Sequence, residues 1–306
     1  MNRYPIYVPT KGRHDSALTI RFLTRDRVPF LAVVEQQEAR LYAPVVGDAG
    51  ELLVLPESGR GLVFARNWIA DHAAAGGHAR HWQLDDNIGG IRRLYRGERI
   101  PCAAGPAFAA VEDFVDRYDN VGLAGMNYLM FVTPTSPPFR TNVHVYSATL
   151  VDNAMPHRWR LLYNDDTDLC LQVLSAGLAT ILVNLFMIDK KTTMTVRGGN
   201  TDSGGPISYQ GDGRLRMARA LEAAWPGIAT VGWRWGRPQH VVDWAQFRMP
   251  LRLRSDVDLA LLPRVDEYGL KLRAVRPPRD QRVAQLLEFY EKSEEREGLD
   301  IVPELC

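Results

Sequence analysis

Along roughly the first 125 residues, short apolar runs rich in β-branched side chains alternate with longer segments whose apolar residues recur every three or four positions. The runs are Ile6 to Val8, Phe30 to Val34, Leu52 to Leu55 and His81 to Leu84. The periodic segments are Ser16 to Arg25, Gln36 to Tyr42 and Leu62 to Ala75. Strands followed by amphipathic helices at this spacing predict βαβ units and an α/β fold around a mostly parallel sheet covered on both faces. Ligands of such sheets bind outside the carboxyl ends of the strands. Two loops are thereby singled out: VPTKGRHDS after the first strand and LDDN after the fourth.

Further along, Phe108 to Tyr118 reads as a helix with apolar residues at Phe108, Val111, Phe114 and Val115, and Val121 to Leu123 as the next strand. TPTSPPFRTN, Thr133 to Asn142, is loop by composition, and HVYSATLVDN reads as a strand pair. Asp165 to Ala176 is a helix opened by acids, an order the helix dipole favours, and Ile181 to Ile188 is a buried strand. After Lys190 the pattern loosens. VRGGNTDSGGP is flexible by composition, the arginine- and tryptophan-rich stretch to Trp244 has no clean period, and Gln281 to Arg296 reads as a charged amphipathic helix docked on the surface. The pattern therefore divides into residues 1–200 and an extension, 201–306, expected to pack on the same domain.

The formal net charge of +1 hides a local excess. Residues 213–282 carry 13 arginines and one lysine against seven acids, whereas the tail from Val283 is strongly acidic. Only five of the 37 basic residues are lysine, which suits bidentate recognition of phosphate and equally reflects a GC-rich genome. Cys102, Cys170 and Cys306 lie far apart without a CxxC pair, so neither a disulfide framework nor a zinc knuckle is indicated, and a reducing, cytoplasmic setting is expected. The chain shows no signal-peptide pattern and no 18-residue apolar run, so no membrane anchor is expected, and no obligate protein partner is evident.

No GxxxxGK[ST], complete dinucleotide fingerprint, GxSxG elbow or HExxH occurs; Gly59 and Gly61 lack a third glycine. What remains is acidic: LDDN at Asp85 and Asp86, and YNDDTDL at Asp165, Asp166 and Asp168. Two adjacent carboxylates at the end of an apolar strand repel each other and are costly to desolvate. They call for a lysine or arginine, a helix N-terminus or a metal ion. A pair of acids at that position is a common way to hold Mg²⁺ or Mn²⁺ against a diphosphate, whose departing charge the ion neutralises. The second cluster, about 80 residues later at a helix start, could supply a general base for an attacking hydroxyl. Together these describe sugar transfer from a nucleotide diphosphate. Structural roles fit the same residues: Asp85 and Asp86 could cap a helix or pair with Arg92 and Arg93, and acids in a first helical turn stabilise it by up to about 1 kcal/mol.

IYVPTKGR, RGLVFARNWI, HWQLDDNIGG and NDDTDLCLQVLSAGL, in that order, resemble the landmarks of GT-A fold glycosyltransferases and are similar in wording to the TET-associated glycosyltransferases of phages and related elements. The resemblance spans roughly residues 3–195. It implies a GT-A-like, Rossmann-type nucleotide-sugar-binding sandwich over residues 1–200 with an Arg/Trp-rich C-terminal extension. It further implies a UDP-sugar donor, Mn²⁺ or Mg²⁺, and transfer to the hydroxyl of a 5-hydroxymethylpyrimidine in DNA, 5-hydroxymethylcytosine first, in a host cytoplasm if the gene is phage-borne. Carried over, it makes Pro9, Thr10, Lys11, Arg13, Arg66, Asn67 and Asp85 donor-binding residues, and Asp165 or Asp166 the catalytic base of inverting members. Asp86 becomes the principal metal ligand beside Asn87, a neutral departure from the usual acid, with His240 as third ligand and Asp202 or His144 as weaker candidates. In GWRWGRPQHVVDW, Arg234, Trp235 and Arg237 suit phosphate contacts and stacking on a base, although a tryptophan there equally suits a core.

Overall fold

The computed structural model of the chain describes residues 2–191, 213–234, 236–272 and 303–304. β1 (Ile6–Pro9), α1 (Leu18–Arg25), β2 (Leu31–Val34), α2 (Ala39–Val46), β3 (Glu51–Val54), α3 (Gly61–Ala75) and β4 (Arg80–Leu84) follow in turn, as the alternating pattern predicts. Next come a hairpin of β5 (Ile88–Tyr95) and β6 (Glu98–Cys102), then α4 (Ala104–Val115) and β7 (Val121–Tyr128). β8 (Phe139–Thr141), β9 (Ala148–Asp152), α5 (Asp165–Ser175) and β10 (Ala179–Lys190) complete a mixed sheet in the order β3-β2-β1-β4-β9-β7-β10-β5-β6, with β8 also paired to β10.

The pairings β1–β2, β2–β3, β1–β4 and β7–β10 are parallel, and β9 runs antiparallel to both β4 and β7. β1 to β4, β7 and β10 therefore point one way and present their carboxyl ends along one edge. β9, reversed, starts at that edge and brings Ser147 to it. All five residues of β4 and the first ten of β10 are buried, the continuous burial expected of strands covered on both faces. β4 also buries polar side chains. Arg80 donates to the Val121 carbonyl at 2.9 Å and pairs with Asp116 at 3.2 Å. His81 is held neutral because burial pushes its pKa down to about 4, and Trp82 Nε1 donates to Glu112 at 2.8 Å.

Two regions differ from the sequence pattern. HVYSATLVDN yields one strand, β9, not two: before it the chain turns sharply, with Ser147 at φ 61°, and Val145 N–H donates to the buried Cys170 thiol instead of to a neighbouring strand. The aperiodic arginine- and tryptophan-rich stretch is an antiparallel hairpin, β11 (Ala229–Arg234) with β12 (Arg237–Val242), preceded by α6 (Gly213–Ala224). Most hairpin residues are only partly buried, so no face imposes a two-residue period. Gly236 takes φ 70° at its turn, where a side chain would be strained. This C-terminal part docks on α5: Trp225 Nε1 donates to Asp168 at 2.7 Å and Asn164 Nδ2 to the Met217 carbonyl at 2.9 Å. VRGGNTDSGGP and the helix expected at Gln281 to Arg296 lie outside the described residues. Among the described residues no helix is long and apolar enough to cross a membrane.

Candidate active site

Three residues, Asp85 to Asn87, join β4 to β5 at the carboxyl edge. The turn is pinned from α1, where the buried Thr19 hydroxyl donates to the Asp85 carbonyl at 2.6 Å and accepts from Ile88 N–H at 2.9 Å. The cations that two adjacent carboxylates call for are side chains. Asp85 accepts from Lys190 Nζ at 2.6 Å, from the Ser147 hydroxyl at 2.7 Å and from Arg66 at 3.2 Å. Burial pushes its carboxyl up, but Lys190 and Arg66 outweigh it and hold the group below the usual carboxylate range. Asp86 pairs with Arg13 and accepts from the Thr10 hydroxyl at 2.9 Å; there burial outweighs Arg13 and the group sits above its ordinary value. Arg92 and Arg93 are not the partners: Arg92 lies 3.8 Å from Asp189, and Arg93 donates to the carbonyls of Tyr268 and Gly269.

The acids opening α5 split into two roles. Asp168 is fully buried and structural, gripped by Arg160 at 2.9 Å, by Trp225 and by Gln172 at 2.8 Å. Asp165 and Asp166 face the pocket. Asp166 is saturated: it accepts from Thr167 N–H at 2.8 Å and lies 3.2 Å from His144 Nε2. Burial acts against ionisation, but His144 and Arg66 overcome it and keep this carboxyl well below its usual range. Asp165 Oδ2 lies 3.3 Å from Arg66 Nε, yet neither atom makes an aligned hydrogen bond. Burial, with the neighbouring Asp166 and Asp85 charges, pushes Asp165 up to about 6 in spite of Arg66.

These groups line one cleft of about 330 Å³ at the sheet edge. It gathers Pro9, Thr10, Lys11 and Arg13 from the first loop, Arg66 from α3, Asp85, Asp86 and Asn87, Asp165 and Asp166, and His240 from β12. Lys11 pairs with the buried Glu35 at 2.9 Å. His240 is partly buried, and burial together with His144 and Arg234 lowers its pKa. Asn67 departs from the expected donor-binding set. Its amide exchanges hydrogen bonds with the Trp159 backbone at 2.8 and 3.0 Å, because adjacent residues on a helix point about 100° apart and Arg66 takes the pocket side. Arg234 and Arg237 face each other across the β11–β12 turn, outside the cleft lining. Trp235 and Asp202 lie outside the described residues.

The donor set for a divalent ion can be tested directly. Asn87 Oδ1 is buried without a hydrogen-bond partner and would accept one. Both Asp85 oxygens are engaged by Lys190, Ser147 and Arg66, and both Asp86 oxygens by Thr10 and Arg13. Among the described residues no group of three or more histidines, cysteines and acids is placed to hold a metal. The residues as placed do not fit a preformed metal site.

Four pocket residues escaped the sequence reading or were given another role: Lys190, Ser147, Tyr128 and His144. Lys190 Nζ donates to Asp85, to Ser147 at 2.8 Å and to the Tyr128 hydroxyl at 3.1 Å, and the two acceptors bond each other at 2.6 Å. The rule that exposed Asp85 would have found Lys190, a charged residue closing a buried strand at the same edge. Ser147 and Tyr128 carry no such mark, since only the order β4-β9-β7-β10 brings them beside the acids.

A family model described as TET-Associated Glycosyltransferase matches residues 4–199. No curated protein matches the chain. Among solved structures it is similar to a mannose-1-phosphate geranyltransferase from Thermus thermophilus, at 12% identity and TM-score 0.29 over 60% of this chain and 58% of that one. It is also similar to the inositol-1-phosphate CTP transferase of T. maritima, at 8% identity and TM-score 0.36 over 62% and 90% of the two chains. The glycosyltransferase GlyE of Streptococcus pneumoniae aligns at 9% identity and TM-score 0.33 over 59% and 45%.

Proposed function

Since the chain belongs to the TET-associated glycosyltransferase family, we propose that it moves a sugar from a UDP-sugar to the hydroxyl of a 5-hydroxymethylpyrimidine in DNA, 5-hydroxymethylcytosine first. The observation that carries this reading is the gathering of two acidic clusters in one cleft, the β4–β5 turn and the start of α5, with Arg66 between Asp85 and Asp165. Pro9, Thr10, Lys11, Arg13 and Asp85 line the side assigned to the nucleotide. Arg66 Nε is a buried cationic donor without an aligned partner, suited to a phosphate oxygen. The basic stretch 213–282, with Arg234 and Arg237 on its hairpin, supports a polyanionic acceptor.

Asp165 is the better placed base of the acidic pair. Asp166 has a partner on each oxygen and is held low, whereas burial and the Asp166 and Asp85 charges raise Asp165, whose Oδ2 is buried 3.3 Å from Arg66 Nε, to about 6, close to the operating range that general-base catalysis favours. In a direct displacement Asp165 takes the acceptor hydroxyl proton while that oxygen bonds to the anomeric carbon. The bond from that carbon to the diphosphate oxygen breaks, and its electron pair leaves with UDP. No step is assigned to a divalent ion, because the carboxylates expected to hold one already hold Arg13, Arg66 and Lys190.

Nucleoside mass spectrometry tests the reading. The protein is incubated with each of a panel of UDP-sugars and DNA containing 5-hydroxymethylcytosine, 5-hydroxymethyluracil or neither. A mass gain of one sugar residue on a hydroxymethylated base alone is the expected result. UDP release without any gain on DNA would keep a glycosyltransferase and remove the DNA acceptor.

A further inference from the structure

An unbroken row of rings runs along one flank of the cleft. Phe131 lies 5.7 Å from Tyr128 at 30°, Tyr128 lies 4.4 Å from Tyr146, and Tyr146 lies 4.9 Å from His144. His144 in turn stacks on Trp244 at 6.0 Å with the planes 6° apart. Tyr128 and His144 line the cleft, and His144 Nε2 is 3.2 Å from Asp166. At the outer end, in the turn directly after β7, Met130 and Phe131 are 61% and 57% exposed. The row thus leads from two exposed apolar side chains to the carboxylates.

Resting on DNA as the acceptor, we infer that the target base is modified outside the double helix: the pyrimidine swings out onto this aromatic row, and Met130 and Phe131 occupy the place it leaves in the stack. Three observations carry this. First, the Asp165 and Asp166 side chains are recessed, at 18% and 30% exposure, inside the cleft that also takes the donor. Second, a base must bring the acceptor hydroxyl within about 3 Å of the proton acceptor. A hydroxymethyl group reaches only one carbon beyond the ring, so the pyrimidine ring itself has to come to the recessed carboxylates. Third, aromatic faces accept any flat base by stacking, and exposed apolar side chains are what DNA-kinking proteins insert between base steps.

The test uses the full chain, UDP and a duplex with a single 5-hydroxymethylcytosine followed by 2-aminopurine, a base whose fluorescence rises when its neighbour leaves the stack. Transfer is followed by mass on the same duplex and on the matching single strand. The expected result is a several-fold rise in fluorescence on binding. The double variant Met130→Ser, Phe131→Ser, altered only at exposed positions, should lose that rise. Its ratio of duplex to single-strand kcat/KM should fall by about tenfold or more, the scale of one lost stacking contact. Productive transfer to the duplex with flat fluorescence would overturn the inference, as would an unchanged ratio in the variant. No transfer to either DNA form by the wild-type protein would instead remove the DNA acceptor, and this inference with it.

Discussion

LDDN and NDDTD have nearly the same composition and face the same cleft, yet Asp85 of the first and Asp165 of the second sit in opposite electrostatic states, and each has a neighbour shifted the other way. Asp85 is surrounded by Lys190, Arg66 and Ser147 and is held below the usual carboxylate range; Asp165, facing Arg66 without an aligned bond and beside two other carboxylates, is raised to about 6. A buried carboxylate follows the cations that reach it, not the motif it belongs to. Within NDDTD the contrast repeats, since Asp168 is enclosed by Arg160 and Trp225 and serves the fold.

The largest effect expected from this difference is catalytic. Replacing Asp165 and Asp166 together by Asn should cut sugar transfer by about 10²–10⁴, the range typical of a lost general base, with UDP affinity nearly unchanged. Steady-state rates alongside calorimetric UDP binding check this; undiminished turnover would leave the α5 acids with only a structural role.

Stability should separate Asp85 from Asp165 by sign. The folded-state pKa of Asp85 is depressed, so its contribution is present at neutral pH and is lost as pH falls through that value. The folded-state pKa of Asp165 is raised, so its relative contribution is greatest below the unfolded value near 4 and is lost as pH rises through about 6. Urea unfolding at pH 8 should therefore show Asp85→Asn destabilised by about 1.5–3 kcal/mol. Asp165→Asn should be stabilised there by something on the order of 1–3 kcal/mol. Shifts of the same sign in both variants would break the comparison.

Smaller effects fall outside the cleft. Changing Arg234 and Arg237 to Ala should reduce the slope of log affinity for DNA against log salt by about one per arginine lost from phosphate contact. Unaltered slopes would place the hairpin away from DNA. Asn67→Ala should cost about 1 kcal/mol of stability through the two lost Trp159 bonds, while donor affinity stays at the wild-type level. A donor-affinity loss like that of Arg66→Ala would return Asn67 to the nucleotide site.

Much of this was legible in the residues because it obeys local rules. Short apolar runs and 3.6-residue periods located the βαβ half, and the strand-end rule pointed to Thr10, Arg13, Asp85 and Asp86, which the structure gathers in one cleft. The acidic run at a helix start pointed to Asp165 and Asp166, and the resemblance added Arg66. Asn67 lies off the cleft lining because its sequence neighbour takes the pocket side of α3. Lys190, Ser147 and Tyr128 depend on the order in which distant strands pair, which no short-range pattern encodes. The β5–β6 hairpin sits in a stretch where IRRLYRGERI places charges at five of ten positions, and β6 is largely exposed. The β11–β12 hairpin was hidden because its side chains are half-buried on either face.

The central claim is that Asp165 drives sugar transfer to a hydroxymethylated base. It is tested most directly by mass-resolved transfer from UDP-sugar to 5-hydroxymethylcytosine DNA, measured for wild-type and Asp165→Asn protein between about pH 5 and pH 8. The account predicts a wild-type rate that climbs through about pH 6 and levels off, and a variant at least about a hundredfold slower without that rise. Equal rates for the two proteins, or a sugar that never appears on the DNA, would contradict it.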